Sequence, residues 1–300
     1  MIKSVLVTGA SGLVGSEVAR QLRAAGHEPV RLVRRPATGS DEVQWNPATG
    51  VIPTDLMDTI DAVVNMAGAT TGKIPWTKKY KQEIVSSRLD STRTLVKAMA
   101  AAKNPPKVFI SGSASGFYGD CGNQLLAEDA PKGSGFLSDL ANQWEQEALK
   151  APKGVRVVLA RTTMVMSREL GALGRLLPLI KLGVGGPLGS GKQWWAWISQ
   201  VDEAAAIIHL INTPSATGAF NLTAPEPATC KDIVVALAKE LKRPALVPVP
   251  AFALRFLLGE AATELLLCSQ NMSAEKLVAT GFKFKHPHLK DAAAWVVSKN

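Results

Sequence analysis

Three glycines at three-residue intervals, Gly9, Gly12 and Gly15, stand between a short β-branched run, Lys3 to Thr8, and a stretch with the helical spacing of Leu13, Val14, Val18 and Leu22. A strand that enters a glycine turn and leaves it as a helix is the opening of a βαβ nucleotide-binding unit. In such a turn Gly9 allows the tight reversal, Gly12 lets the backbone approach a pyrophosphate, and Gly15 lets helix and strand pack closely. The unpaired N–H groups at the helix start, around Leu13 and Val14, would face the anion, and Ser11 adds a hydroxyl donor. The unit closes with the apolar run Pro29 to Val33.

Where a binder of NAD ordinarily places an acid against the ribose hydroxyls, this chain reads Arg34-Arg35-Pro36. A guanidinium can fork onto a 2′-phosphate and stack on adenine, whereas a carboxylate would repel that phosphate. The expected cofactor is therefore NADP(H), held by Arg34 and Arg35 with the glycine turn.

Buried-strand runs recur at Asp61 to Met66, Lys107 to Ser111 and Val155 to Ala160, with helical patterns at Lys79 to Ala102 and Leu137 to Leu149 between them. This alternation predicts an α/β fold, a Rossmann doubly wound parallel sheet. After Arg161 the rhythm changes to a glycine-rich stretch, a tryptophan cluster (Trp194, Trp195, Trp197) and helical segments spaced by prolines. The division expected is a cofactor domain over 1–165 and a smaller C-terminal α/β substrate lobe over 166–300, with Gly218 to Thr223 the segment best suited to return to the sheet.

With 46% hydrophobic and 20% charged residues, the chain has the composition of a globular protein. Its three cysteines, Cys121, Cys230 and Cys268, lack CxxC spacing, so the reading is no disulfide framework, no metal site and a reducing cytoplasm. Strand pattern begins at Ile2, which leaves no room for a leader, and the apolar stretch Ala251 to Cys268 is broken by Arg255, Glu260 and Glu264, so no membrane insertion is expected. The net charge of +9 comes without any basic run longer than a pair, which speaks against nucleic acid as a partner. His286-Pro-His288 reads as surface.

The string Thr8-Gly9-Ala10-Ser11-Gly12-Leu13-Val14-Gly15, with Asn65-Met66-Ala67-Gly68, resembles the extended short-chain dehydrogenase/reductases. Trp76, Lys81, Glu83, Ile84, Ser87-Arg88, Ser113 through Tyr118-Gly119, Phe136-Leu137, Trp144-Glu145, the run from Gly183 to Gly191, Gln193-Trp194 and Asn221 narrow the likeness over nearly the whole chain. They resemble an atypical subgroup whose members are named epimerase-family or SulA-like cell-division-inhibitor proteins. The resemblance implies that Arg34 holds the 2′-phosphate, that Met66, Ala67 and Gly68 lie along the cofactor, that Glu83 and Arg88 contact it from the following helix, and that Met164 flanks the nicotinamide half. Ser199 and Gln200 stand where relatives commonly read histidine.

The chemistry is less defined than the cofactor. Typical short-chain reductases use Tyr-x-x-x-Lys, in which the lysine lowers the tyrosine pKa so that the phenol can protonate a carbonyl. This chain has two tyrosines, Tyr80 and Tyr118, and neither has lysine four residues on. By the resemblance those positions fall near Leu137 and Ala141. What remains is Ser113, in the place of the upstream serine, and Tyr118, a candidate proton donor with Ser113 or Ser115 beside it and Arg88 as cation; the same tyrosine could equally shape its loop. The tryptophan cluster with Gln193 either roofs a pocket or packs a core. Two functions stay open: an NADPH-dependent oxidoreductase or epimerase acting on a small carbonyl or hydroxyl compound, sugar nucleotides among them, and a binding or regulatory protein that uses NADPH without turnover. A monomer and a homodimer fit equally.

Overall fold

The computed structural model describes residues 2–168, 171, 173–245 and 247–298. The chain opens with β1 (Ser4–Thr8), α1 (Leu13–Ala24), β2 (Glu28–Val33), β3 (Glu42–Gln44), β4 (Ala62–Asn65), α2 (Lys78–Ala101) and β5 (Val108–Ala114). A 3-10 turn at Ser115–Tyr118 leads to β6 (Leu125–Leu126), α3 (Phe136–Ala148), β7 (Arg156–Thr162), β8 (Met164–Met166) and α4 (Leu173–Lys181). There follow β9 (Trp197–Ser199), α5 (Gln200–Ile211), β10 (Gly218–Leu222), α6 (Cys230–Glu240), α7 (Ala251–Leu258), a π-helical turn at Ala262–Leu267, β11 (Asn271–Met272), α8 (Glu275–Ala279) and α9 (Leu289–Val297).

The central sheet is parallel and seven-stranded, in the order β3-β2-β1-β4-β5-β7-β10. Its inner strands are apolar on both faces: Val5, Leu6 and Val7 of β1, Val63 and Val64 of β4 and Phe109 and Ile110 of β5 are all fully buried, as expected of strands covered by helices on each side. On α1, Gly15, Val18, Ala19 and Leu22 are buried, one stripe at helical spacing turned to the sheet. Strand order reverses between β1 and β4, and ligands of such sheets bind outside the strand C-termini at that switch.

Residues after 165 do not make a lobe by themselves. Helix α5 packs against α1 and β10 pairs with β7, so both belong to the sheet layer, and the boundary drawn near 165 is crossed twice. Arg156 ties down the end of α5 by donating to the carbonyls of Leu210 and Ile211 in its last turn and of Ala216 beyond it. The remaining C-terminal elements share a core in which Met166, Leu177, Trp195, Trp197, Ile233, Leu237 and Ala292 are buried. Trp195 and Trp197 are thus core residues rather than a roof, and Gln193 is buried with its amide donating to the carbonyls of Leu188 and Leu266. His286 corrects the surface reading: it is 7% exposed, its Nδ1 is 3.0 Å from Ser199 Oγ, and its backbone N–H donates to Asp202.

Candidate cofactor site

At Gly9 the backbone takes φ +64, and a Cβ there would lie 2.5 Å from the carbonyl oxygen of Met66. The turn after β1 therefore touches the segment after β4, and only a glycine fits. At Gly15 a Cβ would strike the Gly9 carbonyl, so the helix cannot approach the turn with any larger residue. Glycine at positions 9 and 15 is thus a steric requirement of this packing.

The start of α1 differs from those of α2 and α5. Thr77 caps α2 and Ser199 caps α5 with side-chain oxygens, whereas α1 has Gly12 at its cap, no side-chain cap and no acid in its first turn. Its end stays a cluster of backbone donors at the positive pole of the helix dipole. Ser11 and Gly12 are exposed there, and Leu13 and Val14 are half-buried. Gln200 donates to the Leu13 carbonyl at 2.7 Å and fixes the first turn against α5.

The two arginines after β2 part company. Arg35 forks onto Glu42 with two contacts of 2.7 Å, and that carboxylate, held well below the usual range chiefly by Arg35, also accepts from the Thr38 N–H. Arg34 is exposed and makes no hydrogen bond or ion pair among the described residues. Of the two arginines offered for a phosphate, Arg35 is engaged with Glu42 of β3, and Arg34 has no partner among the described residues.

Below the strand ends runs a buried polar chain that sequence reasoning missed. Thr8 Oγ1 donates to Asn65 Oδ1 at 2.7 Å and accepts from the N–H groups of Met66 and Ala67. Asn65 and Trp144 both donate to Thr92 Oγ1 at 2.9 Å, and Thr92 in turn donates to the Arg88 carbonyl. The chain fixes the Met66–Gly68 segment in place. The available signal was a polar residue, Thr8 or Asn65, ending an otherwise apolar strand.

Arg88 lies directly under Gly68: a Cβ on that exposed glycine would come within 3.0 Å of its Cζ. Its Nη1 donates to the carbonyls of Ala69 and Ile84, and its guanidinium stacks on Trp144 at 5.3 Å. No carboxylate pairs with it among the described residues, and burial pulls its pKa down to about 10. A half-buried cation with no carboxylate partner among the described residues suits a ligand rich in oxygen. Glu83 is exposed one turn earlier on α2, and Met164, half-buried, opens β8 with its N–H donating to Ala196.

The two candidate catalytic residues sit in a different network. Tyr118 is fully buried; its hydroxyl accepts from Arg161 at 2.8 Å and donates to Asn221 Oδ1 at 2.7 Å. Ser113 donates to Glu145 at 2.6 Å, and Glu145 pairs with Arg161 on both oxygens. Burial pushes the Tyr118 phenol up while Arg161 works the other way. The cation beside the phenol is thus Arg161, not Arg88, and its hydrogen-bond partners are Arg161 and Asn221 rather than Ser113 or Ser115. As placed, Ser113 and Tyr118 brace β5 against α3, β7 and β10. Leu137 and Ala141, where the reductase tyrosine and lysine would stand, bring no proton donor.

A family model described as the NAD-dependent epimerase/dehydratase family matches residues 5–223, and a domain of unknown function, DUF1731, matches 249–296. An epimerase family protein of Mycobacterium leprae is 38% identical over 98% of this chain and 96% of its own. A chloroplastic epimerase family protein of Arabidopsis thaliana, a homolog of SDR39U1, is 35% identical over 96% of this chain and 85% of its own. The crystal structure of human epimerase family protein SDR39U1 (isoform 2) with NADPH superposes with a TM-score of 0.91 at 31% identity, covering 98% of each chain. A UDP-glucuronic acid 4-epimerase from Bacillus cereus with NAD, 18% identical with a TM-score of 0.75, shares the fold.

Proposed function

This chain belongs to the NAD-dependent epimerase/dehydratase family, and from that premise we propose that it binds NADPH across the β1–β4 switch and exchanges hydride with a small carbonyl or hydroxyl compound. The observation that carries the cofactor choice is the divided fate of the arginine pair, with Arg34 unengaged at the end of β2 and no acid beside it. NADPH in the human relative supports the same choice. The pyrophosphate would rest on the uncapped start of α1 with Ser11. Met66, Ala67 and Gly68 would line the cofactor, Arg88 would meet its oxygens from below, and Met164 would flank its nicotinamide half. The bound dinucleotide would supply the hydride; the protein's part is to hold it, orient it and keep water from its reactive face.

The test is the charge at position 34. Arg34→Asp is expected to weaken NADPH binding at least about tenfold in a titration while leaving NADH binding unchanged or improved. Equal NADPH affinity in the variant would overturn the assignment.

The burial of Tyr118 favours a second reading, in which NADPH is bound without turnover. Stereospecifically deuterated NADPH incubated with a panel of sugars, ketones and enones separates the two. Label in a product supports the oxidoreductase, inversion of a sugar carbinol incubated with the protein and NADP+ supports the epimerase, and tight binding with neither supports the binding protein.

A further inference from the structure

The apolar stretch after Pro250 does not bury its largest side chains. On α7 only Leu254 is buried, while Phe252, Phe256 and Leu257 are 75%, 88% and 69% exposed. The end of α4 behaves likewise, with Leu182 exposed over 76% of its surface and Val184 over 55%. Backbone contacts put the two ends side by side: Val249 donates to the Pro187 carbonyl, Gly189 donates to that of Val249, and Pro244 lies against Gly183. Single exposed apolar residues are ordinary, but five of them on two segments held together by backbone hydrogen bonds mark a contact surface.

Charge identifies what the surface meets. Lys181, Lys242, Arg243 and Arg255 are exposed around it, and none forms an ion pair among the described residues. The sequence holds no Asp or Glu between Glu169 and Asp202, nor between Glu240 and Glu260, and Glu260 is itself paired with Lys81. Two copies joined through this face would set these cations against their own images with no acid to meet them. An anionic surface would meet every one of them.

We propose that the end of the C-terminal lobe formed by α4, the 247–249 segment and α7 docks on an anionic lipid bilayer, with Phe252, Phe256, Leu257 and Leu182 entering the headgroup boundary and the four cations facing lipid phosphates. No helix among the described residues is long and apolar enough to cross a membrane, so the attachment is to its surface. Side chains exposed over three quarters of their area, such as Phe256 and Leu182, suit insertion into a soft interface. The Lys81–Glu260 pair joins the turn after α7 to α2, so the docking face lies on the same element that reaches back to the cofactor domain.

The experiment is co-sedimentation of the whole chain with vesicles of phosphatidylcholine alone and with about a quarter phosphatidylglycerol. The wild type is expected to pellet with the anionic vesicles and to be released by salt, and the double variant Phe252→Ser/Phe256→Ser to bind at least about tenfold more weakly. Lys181→Gln/Arg255→Gln should lose binding to the anionic vesicles specifically. NADPH titration of each variant confirms that the fold is kept. No pelleting of the wild type, or a double variant that binds as well as the wild type, overturns the proposal. So does a wild-type dimer that Phe252→Ser/Phe256→Ser converts to monomer, which would make the face a self-interface.

Discussion

Arg34 and Arg35 are neighbours with the same chemistry, and Glu42 engages one of them and leaves the other unpaired among the described residues. A conventional reading of the pair credits both, because the three-residue β3 that carries Glu42 has no pattern of its own to announce it. The same limit applies at Tyr118. The sequence shows one tyrosine after the fifth strand, but not that Arg161 and Asn221, contributed by β7 and β10, close around its hydroxyl. Removing that hydroxyl should therefore act on stability first. Tyr118→Phe is expected to lower unfolding free energy by roughly 1–3 kcal/mol, because Arg161 and Asn221 lose a buried partner, with NADPH affinity unchanged; denaturant unfolding beside a cofactor titration checks both. A variant of wild-type stability with weakened cofactor binding would put the phenol in the site instead.

At the level of elements, the legible parts were those with strong local patterns. The alternation β1-α1-β2 and the later α2, β5, α3 and β7 were readable because buried parallel strands are continuous apolar runs and their helices carry one apolar stripe. What lacked a pattern was the tie between distant elements. Glu264, on the π-helical turn, accepts from the N–H groups of Phe136 and Leu137 at the start of α3, more than a hundred residues earlier. A carboxylate at that pole satisfies two orphan donors and opposes the helix dipole. Glu264→Ala should cost about 1 kcal/mol of stability, measurable as a lowered thermal midpoint, whereas Glu264→Gln, which keeps an acceptor, should cost less. Because the same turn follows α7 and Glu260, this cap and the Lys81–Glu260 pair tie the end of α7 to α3 and α2.

For the molecule as a whole, one buried acid couples stability to pH. Glu203 on α5 is fully buried; one oxygen accepts from Thr162 at 2.6 Å, the other has no partner among the described residues, and burial pushes its pKa up from 4.5 to about 8. The folded state keeps its proton while the unfolded chain releases it, so this contribution is complete below about pH 4.5 and is lost as pH rises toward 8. Glu203→Gln should melt close to the wild type at pH 5 and above it near pH 8, by on the order of a few kcal/mol in unfolding free energy; parallel melts at the two pH values decide it, and a constant difference would mean that Glu203 is ionised in the fold. The strand-like run at Gly218 to Thr223 was legible as a segment suited to the sheet, and it is β10, whereas the packing of α5 on α1 is a contact that no local pattern encodes. One consequence of the buried polar chain is optical. Trp144, bonded to Thr92 and stacked on Arg88 beneath Gly68, is an ultraviolet emitter under the crevice proposed for NADPH, and reduced nicotinamide absorbs where indole emits, so occupancy of that crevice is expected to quench its emission.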